Sequence, residues 1–456
     1  MQRRAFFTST AGVASGIAGL GGCSSKTGKK PKTGPGTPMS VLNGDGTLAG
    51  KTLEEIREQY RYDLFDEFIP FHDRYVVDHE YGGFTLHTGW NGPTLSYEKS
   101  AWYEGRGTWT YSFLYNNIDK DPKHLEAARR SVEFIMKHKP EGENLWPNSY
   151  SREGKVTGGP DLRTYGDLFV ANGLNVYSKA AGDDSCWQLA KETLLKCLKI
   201  QDRPGYYPEA AQGYLGKDAP LMPGGARVQG NWFVMLHLAT QMLEFKTDPE
   251  VEAIADRCVD AIMNKHYNPE FDLHNEVLNH DFSRPANEVG QLVYTGHAIE
   301  TLWMVLYEAA RKKDRALFDL ASQRFKRHIE VAWDDVYGGL FRNLRHVDNN
   351  LWDVDKAGWV QMEGLIGLAC VIEHTGAQWA KDFFGRLYPW VMAKFPLKQY
   401  GFPLWIDYAD RWVAFVKDEN GRRAENYHHP RHLMLNLLAF DRMIKRGGAI
   451  SGLFSS

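Results

Sequence analysis

The chain of 456 residues is poor in cysteine, has no surplus of either charge, and carries no metal-protease signature of the His-Glu-x-x-His kind. Four of its five cysteines, Cys186, Cys197, Cys258 and Cys370, stand alone in helical-looking segments, and none forms a Cys-x-x-Cys pair. That spacing favours buried thiols over a disulfide framework or a zinc site. A formal net charge of -3 leaves no basic excess to neutralise phosphates, which argues against nucleic acid as a partner. With 43% hydrophobic and 24% charged residues the chain is of ordinary globular composition and long enough to bury a large core. Its 14 Trp, 22 Tyr and 23 Phe either fill that core or supply sugar-stacking surfaces.

The amino terminus reads as an address. Arg3-Arg4-Ala5-Phe6-Phe7 has the form of a twin-arginine export signal, and an Ala/Gly-rich apolar run leads to Leu20-Gly21-Gly22-Cys23. The run is too short and too glycine-rich to span a bilayer as a helix. Leu-Gly-Gly-Cys resembles a bacterial lipobox, which makes Cys23 the expected lipidation site. Residues 1–23 are then a signal peptide and 24–50 a flexible tether. The expected location is outside the cytoplasm, on a bacterial membrane facing the periplasm or exterior, with the lipid as the only membrane contact.

From residue 51 amphipathic helix signals alternate with loops. Apolar spacing predicts helices near 52–75, 99–119, 122–138, 160–180, 184–200, 224–244, 248–265, 286–312, 314–333, 355–375, 377–394 and 429–446. Short and long connections alternate. Asp119-Lys120-Asp121, Ala181-Gly182-Asp183 and Thr247-Asp248 are short turns. The long loops carry Tyr81-Gly82-Gly83-Phe84, Tyr337-Gly338-Gly339-Leu340-Phe341 and Tyr400-Gly401-Phe402, glycine-centred signals for short β-hairpins. Such alternation predicts an all-α fold, an (α/α)6 barrel over 51–446 with the long loops gathered at one rim, followed by a tail at 447–456. A superhelical solenoid of the same helices is the alternative.

Chemistry concentrates in a few segments. On a helix, His297 and Glu300 in Gly296-His297-Ala298-Ile299-Glu300 stand one turn apart, so the carboxylate is expected to hold and charge the imidazole. A second histidine from Tyr427-His428-His429-Pro430-Arg431 would supply the opposite partner in two-sided proton transfer. Arg106 in Trp102-Tyr103-Glu104-Gly105-Arg106-Gly107-Thr108-Trp109 could hold a sugar oxygen, or pair with Glu104 or a loop carboxylate. Lys356, Trp359 and Glu363 share a helical stripe that suits either a sugar subsite or a core tryptophan beside an ion pair. His428 and His432 are four apart, but Pro430 intervenes and no nearby carboxylate completes a ligand set, so no metal is expected.

Taken together, these segments resemble the N-acylglucosamine 2-epimerase family, which includes cellobiose 2-epimerases and an aldose–ketose isomerase branch. Residues 102–109 look like its Trp-x-x-Gly-Arg-x-x-Trp segment, and Gly296 to Glu300 with Trp303 like Gly-His-x-x-Glu-x-x-Trp. Lys356 to Glu363 is similar to Lys-x-x-Trp-x-x-x-Glu, and residues 427–431 to its aromatic-His-x-Pro-Arg end. The resemblance implies an (α/α)6 barrel and C2 epimerisation or isomerisation of a small reducing mono- or oligosaccharide through a cis-enediolate, with no cofactor. It implies His297 and His428 as the acid/base pair, Glu300 and Arg106 as their catalytic helpers, and Trp109, Asn231, Trp303, Lys356, Trp359, Glu363 and Tyr427 as substrate contacts. Two departures bear on substrate: Arg422 to Asn426 lack the tryptophan that cellobiose epimerases carry before the second histidine, and His429 stands where other members have a small or apolar residue, or Asn. A glycoside hydrolase or lyase using Asp161, Asp167 or Glu363, and a non-catalytic lipid-anchored sugar-binding protein, are the rival readings. Monomer and homodimer both remain open.

Overall fold

Four of the short turns end in an aspartate that starts the next helix. Asp121, Asp183, Asp248 and Asp314 accept first-turn backbone N–H groups at the heads of α4 (Pro122–Met136), α6 (Asp184–Gln201), α8 (Pro249–Asp260) and α10 (Arg315–Ala332). Thr52 and Glu55 close a reciprocal capping box on α1 (Leu53–Tyr62), which continues through a π-helical segment, Asp63–Phe68, into α2 (Ile69–Tyr75). With α12 (Gln378–Lys394) these form the outer layer of the computed structural model. It describes residues 39–455 apart from 90–91, 208, 210–219, 399–404, 406–407, 410–413 and 416–421.

The inner layer is α3 (Ala101–Asn117), α5 (Tyr165–Ala181), α7 (Gln229–Phe245), α9 (Thr295–Lys312), α11 (Gly358–Thr375) and α13 (His428–Lys445). Each inner helix packs on the next and α13 meets α3, while each outer helix covers an inner one, so the ring closes as an (α/α)6 barrel rather than opening into a solenoid. Of the inner helices, α3, α7 and α11 carry little amphipathic signal because both their faces are buried. α3 and α5 approach most intimately: a Cβ on Gly105 would collide with the Phe169 backbone, and one on Gly173 would lie 2.6 Å from the Gly105 carbonyl oxygen. Several inner helices begin later than their apolar spacing suggests. Arg227–Val228 and Lys356–Ala357 are instead drawn into short antiparallel pairs, and 288–291 forms a 3-10 turn before α9.

The Tyr-Gly-Gly loops belong to a repeated clasp. Lys99, two residues before α3, places its Nζ 2.9 Å from Asp78 and donates to the Gly82 carbonyl. Lys356, two residues before α11, does the same with Asp334 at 2.9 Å and with the Gly338 carbonyl. Gly82, Gly83, Gly338 and Gly339 have φ of +80°, +81°, +76° and +79°, a backbone that turns those carbonyls inward and that side chains resist. Arg227, two residues before α7, reaches Asp202 at 3.2 Å and the Gln201 carbonyl at 2.9 Å in a third version. The third Tyr-Gly motif, Tyr400-Gly401-Phe402, lies outside the described residues, as do the expected export signal, Cys23 and residues 24–38.

The ordered domain is longer than 51–446 at both ends. Residues 39–50, expected as tether, and 447–455, expected as tail, run side by side: Val41 N–H donates to Gly448 at 2.9 Å and Ile450 N–H to Met39 at 3.2 Å. Val41 and Leu48 are fully buried, and Phe454 packs on Phe318 and His374. These apolar side chains, unremarkable in a Lys/Gly/Pro-rich stretch, seal the floor where α11 and α13 end.

Candidate active site

Because each inner helix is followed by an outer one that returns, all six inner helices start at the rim of long loops. The chemistry-bearing side chains sit there, in first and second turns. His297 is the third residue of α9, Trp359 the second of α11, His428 the first of α13 and Arg106 the sixth of α3. The half-buried Trp359 ring lies between the two imidazoles, with centroids 5.7 Å from His297 and 5.4 Å from His428. Tyr294 meets His297 edge-on at 4.3 Å.

His428 stands in a charged cluster. Its Nδ1 lies 2.9 Å from Glu363 Oε1, and its Nε2 3.5 Å from Arg106 Nη2. One nitrogen of Arg431, Nη2, binds Glu300 at 2.5 Å and Glu363 at 2.7 Å, and the Trp303 indole donates to the other Glu363 oxygen at 2.6 Å. Burial pushes the His428 imidazole down to about 3, outweighing the pull of Glu300 and Glu425. It is therefore neutral at working pH. Arg106 is caged by aromatic faces, its guanidinium 4.2 Å from the Phe169 centroid, 4.8 Å from Tyr427 and 5.1 Å from Trp102.

The model of the family described as N-acylglucosamine 2-epimerase (GlcNAc 2-epimerase) matches residues 82–430, a stretch that contains all of these groups except Arg431, which follows it directly. The chain belongs to the N-acylglucosamine 2-epimerase family. It is 27% identical over 340 residues to a cellobiose 2-epimerase of Ruminococcus albus, covering 71% of this chain and 82% of that protein. It is 23% identical over 378 residues to the N-acylglucosamine 2-epimerase of Bos taurus, covering 79% and 85%. The solved cellobiose 2-epimerase of Spirochaeta thermophila superposes with a TM-score of 0.71 at 18% identity, over 86% of this chain and 98% of that one, which shows the shared fold.

Within this family member, Glu300 does not hold His297, contrary to expectation. The Nδ1 of His297 bonds Glu276 Oε1 at 2.8 Å, whereas Glu300 binds Arg431 and lies 3.9 Å from His428 Nδ1. The physical reason is that His297, in the first turn, reaches past the helix end to a loop, while Glu300 sits a turn deeper against α13. Glu104 is not the partner of Arg106 either. It accepts from Phe84 N–H at 3.0 Å and from Ser131 Oγ at 2.6 Å, and burial raises it to about 7.

Of the seven expected substrate contacts, only Trp359 is partly exposed. Trp109 is core, stacked on Phe113 with its indole donating to Gln241. Trp303 and Glu363 are orienting groups of the His428 cluster, and Tyr427 walls the Arg106 cage while its hydroxyl accepts from Asn172. Lys356 belongs to the rim clasp, and the Asn231 amide donates to the Tyr206 hydroxyl at 3.5 Å. Family motifs mark these positions without distinguishing contact with substrate from contact with the groups that touch it.

Two further features had no motif to betray them. Glu276 lies in a loop, far in sequence from His297. Tyr165 stacks on Trp102 at 5.1 Å, and a Cβ on Gly230 would fall on its hydroxyl, with His297 Cε1 3.7 Å away. The glycine in Gln229-Gly230-Asn231 was the available signal. Glu300, Glu363 and His428 approach closely enough for a metal, but Arg431 already supplies the positive charge there. His432 packs between Tyr60 and Trp405 as a buried ring. The hydrolase carboxylates are scattered: Asp161 is clamped by Arg163, and Asp167 turns outward to Lys196 at 2.8 Å.

Proposed function

We propose that this protein is a sugar 2-epimerase that exchanges the C2 proton of a ring-opened reducing sugar between His428 and His297. The observation that carries this reading is the pair of imidazoles flanking one half-buried tryptophan, each with a carboxylate on Nδ1. That pairing commits Nδ1 of both rings to the protein and makes Nε2 the nitrogen of proton exchange.

His428, kept neutral by burial, is the resting base. Its Nε2 removes the C2 proton, the electron pair moves toward the carbonyl, and a cis-enediolate forms. Glu300, Glu363 and Glu425 outnumber Arg431 and Arg106 by one negative charge, so the cluster gains neutrality when His428 becomes imidazolium. Arg106, preorganised by its aromatic cage, donates to the developing oxyanion, a role commonly worth about 3 kcal/mol. His297, entering the step as imidazolium with Glu276 accepting from Nδ1, delivers its Nε2 proton to the opposite face of C2, inverting it and leaving His297 neutral and His428 protonated. Delivery to C1 gives the ketose, so the same constellation supports isomerisation.

Incubating the full chain with reducing sugars in heavy water and following C2 deuterium by NMR tests the reading. Exchange abolished by both His297→Ala and His428→Ala is the expected result, and the labelled product separates epimer from ketose. Exchange that survives either substitution sinks the two-histidine mechanism. The location we propose, lipid-anchored outside the cytoplasm, is supported by Arg3-Arg4 and Leu20-Gly21-Gly22-Cys23 in the sequence.

A further inference from the structure

We propose that Glu276, which no family motif marks, is the positioning residue for His297: it keeps a proton on Nδ1, so that Nε2 is the nitrogen that carries the exchanged proton. This deepens the two-histidine reading and rests on it for its catalytic meaning, though not for its structural test.

Three features support it. First, the 2.8 Å contact joins His297 Nδ1 to a carboxylate oxygen. An ionised carboxylate only accepts, so in the neutral ring the proton is on Nδ1 and the lone pair on Nε2. Second, Glu276 is itself immobilised. Its side chain is fully buried, its N–H donates to the Leu292 carbonyl at 3.1 Å, and its own carbonyl accepts from Gln229 N–H at 2.9 Å. The strand that follows it, Val277–Leu278, pairs with Arg227–Val228 immediately before α7. The carboxylate is thus pinned to the heads of both α7 and α9, the helix that bears His297. Third, the imidazole has little room to turn, with Tyr294 edge-on at 4.3 Å and Phe233 at 5.3 Å.

The two imidazoles therefore have separate supports. His428 is served by Glu363, on a helix and tied to Arg431, whereas His297 is served by a loop carboxylate. Glu276→Gln keeps the shape and removes the charge. An amide can donate to Nδ1, which stabilises the wrong tautomer, and losses of about 10²-fold or more follow when an orienting carboxylate is replaced this way.

The test combines side-chain 15N NMR with kinetics on the full chain, the His297 signals being assigned by their loss in His297→Ala. In the native protein, wherever the ring is neutral, His297 should carry its single proton on Nδ1. Glu276→Gln should shift those signals, while Glu300→Gln, which touches Arg431 instead, should leave them in place. In C2 exchange Glu276→Gln should lower kcat about 10²-fold with KM within about 2-fold. A neutral His297 with its single proton on Nε2 in the native protein overturns the proposal even if the variant fails to fold. So does an unchanged spectrum, or an unchanged kcat, in Glu276→Gln. If the native protein exchanges no sugar yet the spectra behave as stated, the epimerase reading fails and the positioning role of Glu276 stands.

Discussion

The Nδ1 of His428 lies 2.9 Å from Oε1 of Glu363, a closer partner than Glu300 at 3.9 Å. The carboxylate that the helical spacing of the first motif assigned to His297 is thus a neighbour of the other histidine. The one drawn as a sugar contact is that histidine's direct support.

Glu363→Gln should therefore cost more than Glu300→Gln in C2 exchange. We expect about 10- to 100-fold loss in kcat for the first, typical of a removed orienting carboxylate. A smaller loss should follow the second, which acts through Arg431. Rates of deuterium incorporation for the two variants decide the order, and a larger effect from Glu300→Gln would refute the assignment of partners.

Lys356 reads as a substrate contact in the sequence and as half of a buried ion pair in the fold. Lys356→Met leaves Asp334 buried without its ammonium, which typically costs about 3–5 kcal/mol. Urea unfolding should show that loss, while the folded variant binds sugar with KM within about 2-fold. Adding Asp334→Leu should recover much of the stability, because apolar pairs of similar volume replace buried ion pairs well. A raised KM at unchanged stability would restore Lys356 to the pocket.

The contrast between Lys356 and His428 shows how much was legible in advance. Helix count, order and closure follow from apolar periodicity, aspartate caps and alternating loop lengths, all local properties that 3.6-residue spacing exposes. The histidines and Arg106 were marked by motifs. Which carboxylate meets which imidazole was not, because that depends on how far a first-turn side chain reaches past its helix end. Glu276 comes from a loop whose course is set by pairing with residues 227–228, a tertiary fact without periodic trace. Residues 39–50 were misread for a related reason: composition suggested a tether, and only packing against 447–455 shows otherwise.

The leader makes a separate prediction. If Cys23 is the lipidated residue, radiolabelled palmitate fed to a bacterial host expressing the chain should enter the protein, and Cys23→Ser should abolish the label. A Cys23→Ser protein that remains labelled and membrane-bound would show that another feature tethers it. Arg3→Lys combined with Arg4→Lys should trap the precursor, as expected of a twin-arginine leader.

Asp63 offers a test of the fold's electrostatics away from the site. It lies in the π-helical segment, 3% exposed, with one oxygen held by Gln59 at 2.9 Å. Burial raises it from an ordinary 3.8 to about 7. The folded state therefore holds a proton that the unfolded chain releases near pH 4. That contribution to stability is fully present below the unfolded value and is lost as the pH rises towards 7. Asp63→Asn, which mimics the protonated acid, should gain stability relative to the native chain in going from pH 5 to pH 8, by about 3 kcal/mol. Thermal or urea unfolding of both proteins at the two pH values measures the difference. Equal effects at pH 5 and pH 8 would mean that Asp63 is ionised in the folded protein and that Lys398, the nearby cation that favours its charged form, supplies the compensation.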